Sequence, residues 1–260
     1  MAVVRRFLSG LGAGLALALA LAGCDSRPPS PLPTPSLDTR LADRDRLAGL
    51  AAAAKDRRYV ATYTLTTPNQ SNRTVTVAFA TDGSWVVAIP GGALSGLADV
   101  AIYRSQAELF QCLLGPAAGT AGARPDLGPM TPSCVVVPAL TAATDPVVHH
   151  IFTDWIDPLV DRATALSVAA GALSGASGWC FSVESNSAAL APPLDPGVYC
   201  YSDDGVLTGA RVGFGTLLLA SPVAAAPPSV ALPAPVSAGP PLTTAAPPPP
   251  PPPPTAAAAV

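Results

Sequence analysis

Between Tyr59 and Ile89 the side chains alternate in size at every second position, and no other feature restricts the fold of this chain as much. Tyr59, Ala61, Tyr63 and Leu65 alternate with Val60, Thr62, Thr64 and Thr66. Val75, Val77 and Phe79 alternate with Thr74, Thr76 and Ala78, and Trp85, Val87 and Ile89 follow. Successive side chains of an extended strand point to opposite faces, so this pattern predicts strands with one bulky apolar face. Asp82-Gly83 sits where a two-residue hairpin turn would be, because both central positions of such a turn need positive φ. Pro68-Asn69 and Pro90-Gly91-Gly92 break the run on either side. The result is an antiparallel sheet whose apolar face needs a cover.

Two stretches can supply it. From Leu37 to Arg58 the period becomes helical, with Leu41, Leu47, Leu50, Ala51 and Ala54 on one stripe and Asp43, Arg44, Arg46 and Arg57 largely opposite. Residues 145–165 carry Val148, Ile151, Phe152, Trp155, Ile156 and Leu159. There Asp145-Pro146 and Asp157-Pro158 each pair a capping residue with a proline at a helix start, predicting two helices with a bend between them. Further strand signals lie at Val100–Arg104, Leu109–Leu113, Cys134–Val137, Leu166–Ala170, Trp179–Glu184, Gly197–Tyr201, Val206–Val212, Thr216–Ala220 and Val230–Leu232, with Asp204-Gly205 a second hairpin signal. Helix, strands, paired helices and strands make one α+β domain over residues 37–236, long enough for a substantial core.

Ahead of this domain stand Arg5-Arg6, an uncharged apolar run from Phe7 to Ala22, and then Leu21-Ala22-Gly23-Cys24. A basic start, a short hydrophobic segment and small residues before a cut site make an export signal, and the run is short of the ~20 residues that a span needs. Ending on Cys with Leu three residues before it, the stretch resembles the lipobox of bacterial lipoproteins. That resemblance implies a signal peptide over 1–23, cleavage before Cys24, and a diacylglycerol on the Cys24 thiol tethering the chain to the outer face of the cell membrane. Residues 24–36 hold five prolines and read as an extended spacer. Residues 237–260, with unbroken prolines from Pro247 to Pro254, lack periodicity and read as a disordered tail.

Four further cysteines, Cys112, Cys134, Cys180 and Cys200, suggest two disulfides in an exported chain. Three pairings are open. Cys112–Cys134 and Cys180–Cys200 are favoured, because each closes one loop of moderate length around a Pro/Gly-rich excursion. No C-x-x-C spacing points to a metal instead. Without Arg5 and Arg6 the formal charge moves from −3 to −5, and a mildly acidic domain gives nucleic acid no basic footprint.

The sequence offers little for catalysis. His149 and His150 are its only histidines; as neighbours on a helix they would point about 100° apart and not meet one metal ion. There is no G-x-S-x-G elbow, phosphate loop, dinucleotide fingerprint or calcium loop. Asp203-Asp204 reads as a turn, and Asp154 with Asp157 as a solvated face. No catalytic residue, metal ligand or cofactor is expected.

Trp179-Cys-Phe-Ser-Val, then Gly197-Val-Tyr-Cys-Tyr-Ser-Asp-Asp-Gly-Val-Leu-Thr, the apolar Thr216–Ala220 and the closing Pro228-Ser-Val-Ala-Leu-Pro-Ala-Pro-Val resemble the half-barrel lipoproteins of mycobacteria and their relatives, which share the fold of Gram-negative periplasmic lipoprotein carriers. The resemblance implies a strongly curved antiparallel sheet covered by helices on one face, with acyl chains between them. On the sequence, Val75, Val77, Phe79, Trp85, Val87, Ile89, Trp155, Ile156 and Leu159 would line such a lipid-binding cavity, although for any one of them a place in an ordinary core is the favoured reading. The expected role is non-enzymatic binding or carriage of a lipid or lipidated molecule at the cell envelope, with a lipid or glycolipid as the cargo. The runner-up is an interaction or sensory module with a filled core, whose loops 91–98 and 115–132 touch a protein partner. A hydrolase stands third.

Overall fold

The structure, a computed structural model, describes residues 37–120, 129–186 and 192–246. The signal segment 1–23, Cys24, the spacer 24–36, part of the 115–132 loop and the proline run of the tail lie outside the described residues.

A helix, α1 (Leu37–Asp56), precedes six strands: β1 (Tyr59–Thr66), β2 (Arg73–Phe79), β3 (Trp85–Ala93), β4 (Ala98–Arg104), β5 (Leu109–Pro116) and β6 (Ser133–Val137). A 3₁₀ turn (Val147–Phe152) and a short α2 (Ile156–Val160) lead to β7 (Leu166–Ala170), β8 (Trp179–Ser185), β9 (Gly197–Tyr201), β10 (Leu207–Val212), β11 (Gly215–Leu219) and β12 (Ala224–Ala225). The strands pair antiparallel in the order β6-β5-β4-β3-β2-β1-β11-β10-β9-β8-β7, with β12 also beside β1. Two meanders thus meet at the β1–β11 pair. β6 and β7 end the path without pairing to each other, so the sheet is open.

Register turns the alternating sequence into one apolar face. Ala61 lies opposite Val77, Val77 opposite Val87, and Val87 opposite Ile102. Tyr63 lies between Val75 and Leu219. Ala61, Tyr63, Val75, Val77 and Val87 share a single core with Phe181, Val183, Tyr199, Tyr201 and Leu217 from the second meander, and Leu219 packs against it. The same core takes in Leu47, Leu50 and Ala51 of α1 and Ile151, Phe152, Ile156 and Leu159 of the 147–160 segment. On the other face of β4–β6 a smaller cluster packs Ala101, Tyr103, Phe110, Cys112 and Cys134 against Val230, Leu232 and Ala234.

Both favoured disulfides form between directly opposed residues. Cys112 faces Cys134 across β5–β6 and Cys180 faces Cys200 across β8–β9, each with Cα atoms 4.0 Å apart.

Several local expectations need correction. Leu41 is exposed, whereas Arg44, expected on the solvated side, is buried. Its guanidinium donates to the carbonyls of Leu159 (2.6 Å), Pro158 (3.2 Å) and Asp161 (2.5 Å), so the helix turns a cation inward to satisfy carbonyls at the C-terminal end of α2. Residues 145–165 form only the 3₁₀ turn and five helical residues, and Asp145 is not a helix cap. The Asp82-Gly83 and Asp204-Gly205 hairpins are three-residue loops, closed by Ala80 with Ser84 and by Ser202 with Val206. In each, only the glycine has positive φ, +88° at Gly83 and +85° at Gly205.

Val230–Leu232 is no strand. Residues 226–246 instead form a strap over the first meander. Pro227 and Pro228 accept from Thr81 and Asp82, Pro235 from Cys134, and Thr243 and Thr244 from Leu94 and Ser95. The Gln111 side chain accepts from Leu242 N–H (2.5 Å) and donates to its carbonyl (3.0 Å). Residues 237–246, which the sequence reading places in the tail, are therefore bound to the domain.

Candidate functional site

One transverse row of the sheet prepares a pocket. Phe79 pairs with Trp85, Trp85 with Arg104, and Arg104 with Leu109 across β2 to β5. This row faces the segment that leaves β6 and the C-terminal end of α1. Between them lies a pocket of about 730 Å³, within the range of small-molecule sites. Phe79, Trp85, Leu109, Leu140, Phe152 and Ile156 give it apolar wall; Lys55, Arg58 and Arg104 give it cations; Asp145, His149, His150, Asp154 and Asp157 complete it.

The polar side is ordered by hydrogen bonds. Asp145 precedes the 3₁₀ turn and turns its carboxylate back on both imidazoles, with His149 Nε2 at 3.0 Å and His150 Nε2 at 2.6 Å. His150 Nδ1 meets Asp154 at 2.7 Å, and His149 Nδ1 meets the Thr153 hydroxyl at 3.2 Å. That hydroxyl donates to the His149 carbonyl. Lys55 is tied to Asp157 at 2.6 Å.

A ladder of rings fixes the imidazoles sideways. Trp85 stacks near His149 (6.3 Å), the two imidazole centroids lie 4.1 Å apart, His150 stacks near Trp155 (5.9 Å), and Trp155 near Phe214 (6.1 Å). The expectation that the two rings diverge is thus overturned. The Asp145 carboxylate at the entry to the 3₁₀ turn meets His149 Nε2 with Oδ1 and His150 Nε2 with Oδ2, and this shared partner draws the two rings together.

Electrostatics follow from these contacts. Burial disfavours charge on His150, but hydrogen bonds to Asp145 and Asp154 outweigh it and raise the ring to about 9. Burial favours neutral Asp145, yet hydrogen bonds from His149 and His150 hold it well below the ordinary carboxylate range. Asp154 is lowered chiefly by the hydrogen bond from His150.

The nine residues considered for a cavity all belong to, or pack against, one core. Of these, Phe79, Trp85 and Ile156 line the pocket. Val75, Val77, Val87, Ile89 and Leu159 are at most 1% exposed and Trp155 is nearly as buried. The carboxylate pairs disperse: Asp203 accepts from Trp179 Nε1 (2.7 Å), Asp204 pairs with Arg57 (2.8 Å), Asp154 binds His150 and Asp157 binds Lys55.

Sequence reasoning missed the Asp145–His149–His150–Asp154 cluster and the basic residues opposite it. The spacing D-x₃-H-H-x₃-D was its visible signal. Comparison with protein-family models, with curated proteins and with solved structures gives no match.

Proposed function

We propose that this chain is a cell-envelope lipoprotein, anchored through diacylglyceryl-Cys24, whose domain binds a lipid or lipidated molecule without altering it. Its sheet would be a strongly curved half-barrel covered on one face by α1 and the 147–160 segment, as in the half-barrel lipoproteins that the sequence resembles. The observation that carries the reading is the amphipathic pocket. Phe79, Trp85, Phe152 and Ile156 can take an acyl segment while Lys55, Arg58 and Arg104 meet an anionic head. The two disulfides support an oxidising compartment.

Titration of the full-length protein with a fluorescent fatty acid tests this. Saturable one-to-one binding is expected, weakened about tenfold, ~1.4 kcal/mol, by the double substitution Arg58→Gln and Arg104→Gln. Absent saturation, or equal affinity in the variant, would contradict it.

A second reading, an envelope interaction module with a filled core, is favoured by one observation: six of the nine candidate cavity residues are packed away. Loop 91–98 would be its contact surface, held in shape by the strap at Leu94 and Ser95.

A further inference from the structure

We propose that Asp145, His149 and His150 form a three-ligand site for a divalent transition-metal ion of the zinc class. One ligand atom from each residue lies within 4.8 Å of the other two. Both Nε2 atoms already converge on the Asp145 carboxylate, at 3.0 and 2.6 Å. A metal ion takes the place of the protons that these pairs share, after a shift of the side chains small enough to reach bonds of about 2.0–2.1 Å.

The second, independent observation is the state of the other ring nitrogens. Histidines that bind metals engage their remaining ring nitrogen with a carboxylate, carbonyl or other polar partner, which fixes ring and tautomer. Here His150 Nδ1 is engaged by Asp154 and His149 Nδ1 by Thr153. Each ring thus directs Nε2 to the common point. Trp85 and Trp155 at the two ends of the imidazole pair restrict ring rotation.

The donor set selects the ion class. Two imidazoles and one carboxylate suit zinc, copper or nickel, whereas magnesium and calcium prefer all-oxygen cages. Cys112, Cys134, Cys180 and Cys200 are in disulfides and offer no competing thiolate. All three ligands line the pocket, so a fourth position stays open to water or to an anionic group of a pocket ligand, as in three-ligand zinc sites. The site does not depend on the lipid reading, since lipid-free protein has the same ligands.

The test is calorimetric titration of full-length protein, purified without a polyhistidine tag and stripped of metal, with zinc chloride. One equivalent should bind, and binding should be lost in the double variant His149→Gln and His150→Gln and weakened at least about tenfold in Asp145→Asn. Because the chain has two histidines, nitrogen NMR of the wild-type rings gives a second readout that needs no variant. Zinc should shift both Nε2 resonances and leave protonated Nδ1. No stoichiometric uptake, uptake undiminished in the double variant, or unshifted Nε2 resonances would each overturn the site.

Discussion

At the scale of single residues, Arg44 shows how a charged group can hold the helix to the rest of the molecule. It is 8% exposed and donates to three carbonyls at the C-terminal end of α2. Arg44→Met keeps much of the volume and removes every donor, leaving carbonyls in poor contact with water. We expect a loss of about 2–3 kcal/mol, read as a lower urea midpoint at unchanged slope. A midpoint equal to wild type would show that the three bonds contribute nothing net. The tyrosines contribute a loss of stability at alkaline pH. Burial is the first cause raising Tyr59, Tyr63, Tyr199 and Tyr201 above their ordinary value. In the unfolded chain they ionise near pH ~10. Their folded values are higher, so the stability they contribute is complete below ~10 and falls as pH climbs past it. Phenolate absorbance should therefore rise together with loss of near-ultraviolet dichroism. Most of the tyrosine signal titrating near pH ~10 with the fold intact would contradict their burial. Hydrophobicity alone could not place Arg44, because its position on the α1 stripe is decided by carbonyls over a hundred residues away. The bulky residues of β1 to β3 were legible, since strand alternation needs only local sequence.

At the scale of elements, the strap is what the sequence concealed. Proline-rich segments have no internal hydrogen bonds and no period, so their partners are found only in three dimensions. Here proline carbonyls and the residues between the prolines both make the contacts: Pro235 accepts from Cys134, Ser237 donates to Cys134, and Leu242 exchanges two bonds with buried Gln111. The positive φ of Leu94 and Ser95 is held by their bonds to Thr243 and Thr244. Deleting residues from Ser237 onward should cost about 1–3 kcal/mol, chiefly through Gln111 and this loop, measured by thermal or urea unfolding. An unchanged midpoint would return the segment to the role of a mere tail. The hairpins were legible in place but not in kind. Asp-Gly marked each turn, while the extra residue in each loop emerged from the pairing of Ala80 with Ser84 and Ser202 with Val206.

At the scale of the whole molecule, two meanders joined at β1 and β11 make an open antiparallel sheet, with the 138–165 crossover running between its unpaired ends. Apart from Val230–Leu232, the strands read from the chain are present, and so are the favoured disulfide pairs, because each depends on nearby residues. The pocket could not be. It is built from a row across four strands, the end of α1 and the 3₁₀ turn, and the convergence of His149 with His150 depends on the Asp145 carboxylate that both rings meet. Val75, Val77, Val87 and Ile89 are packed in the core, so the carrier reading rests on the amphipathic pocket and not on the middle of the sheet. Native mass spectrometry of the full-length protein, recovered from its producing cell without added lipid, tests the carrier reading most directly. Carriage predicts a reproducible adduct of acyl-lipid mass that is reduced by the Arg58→Gln and Arg104→Gln double substitution. Bare protein that also refuses added fatty acid would contradict it and leave the filled-core interaction module as the reading to pursue.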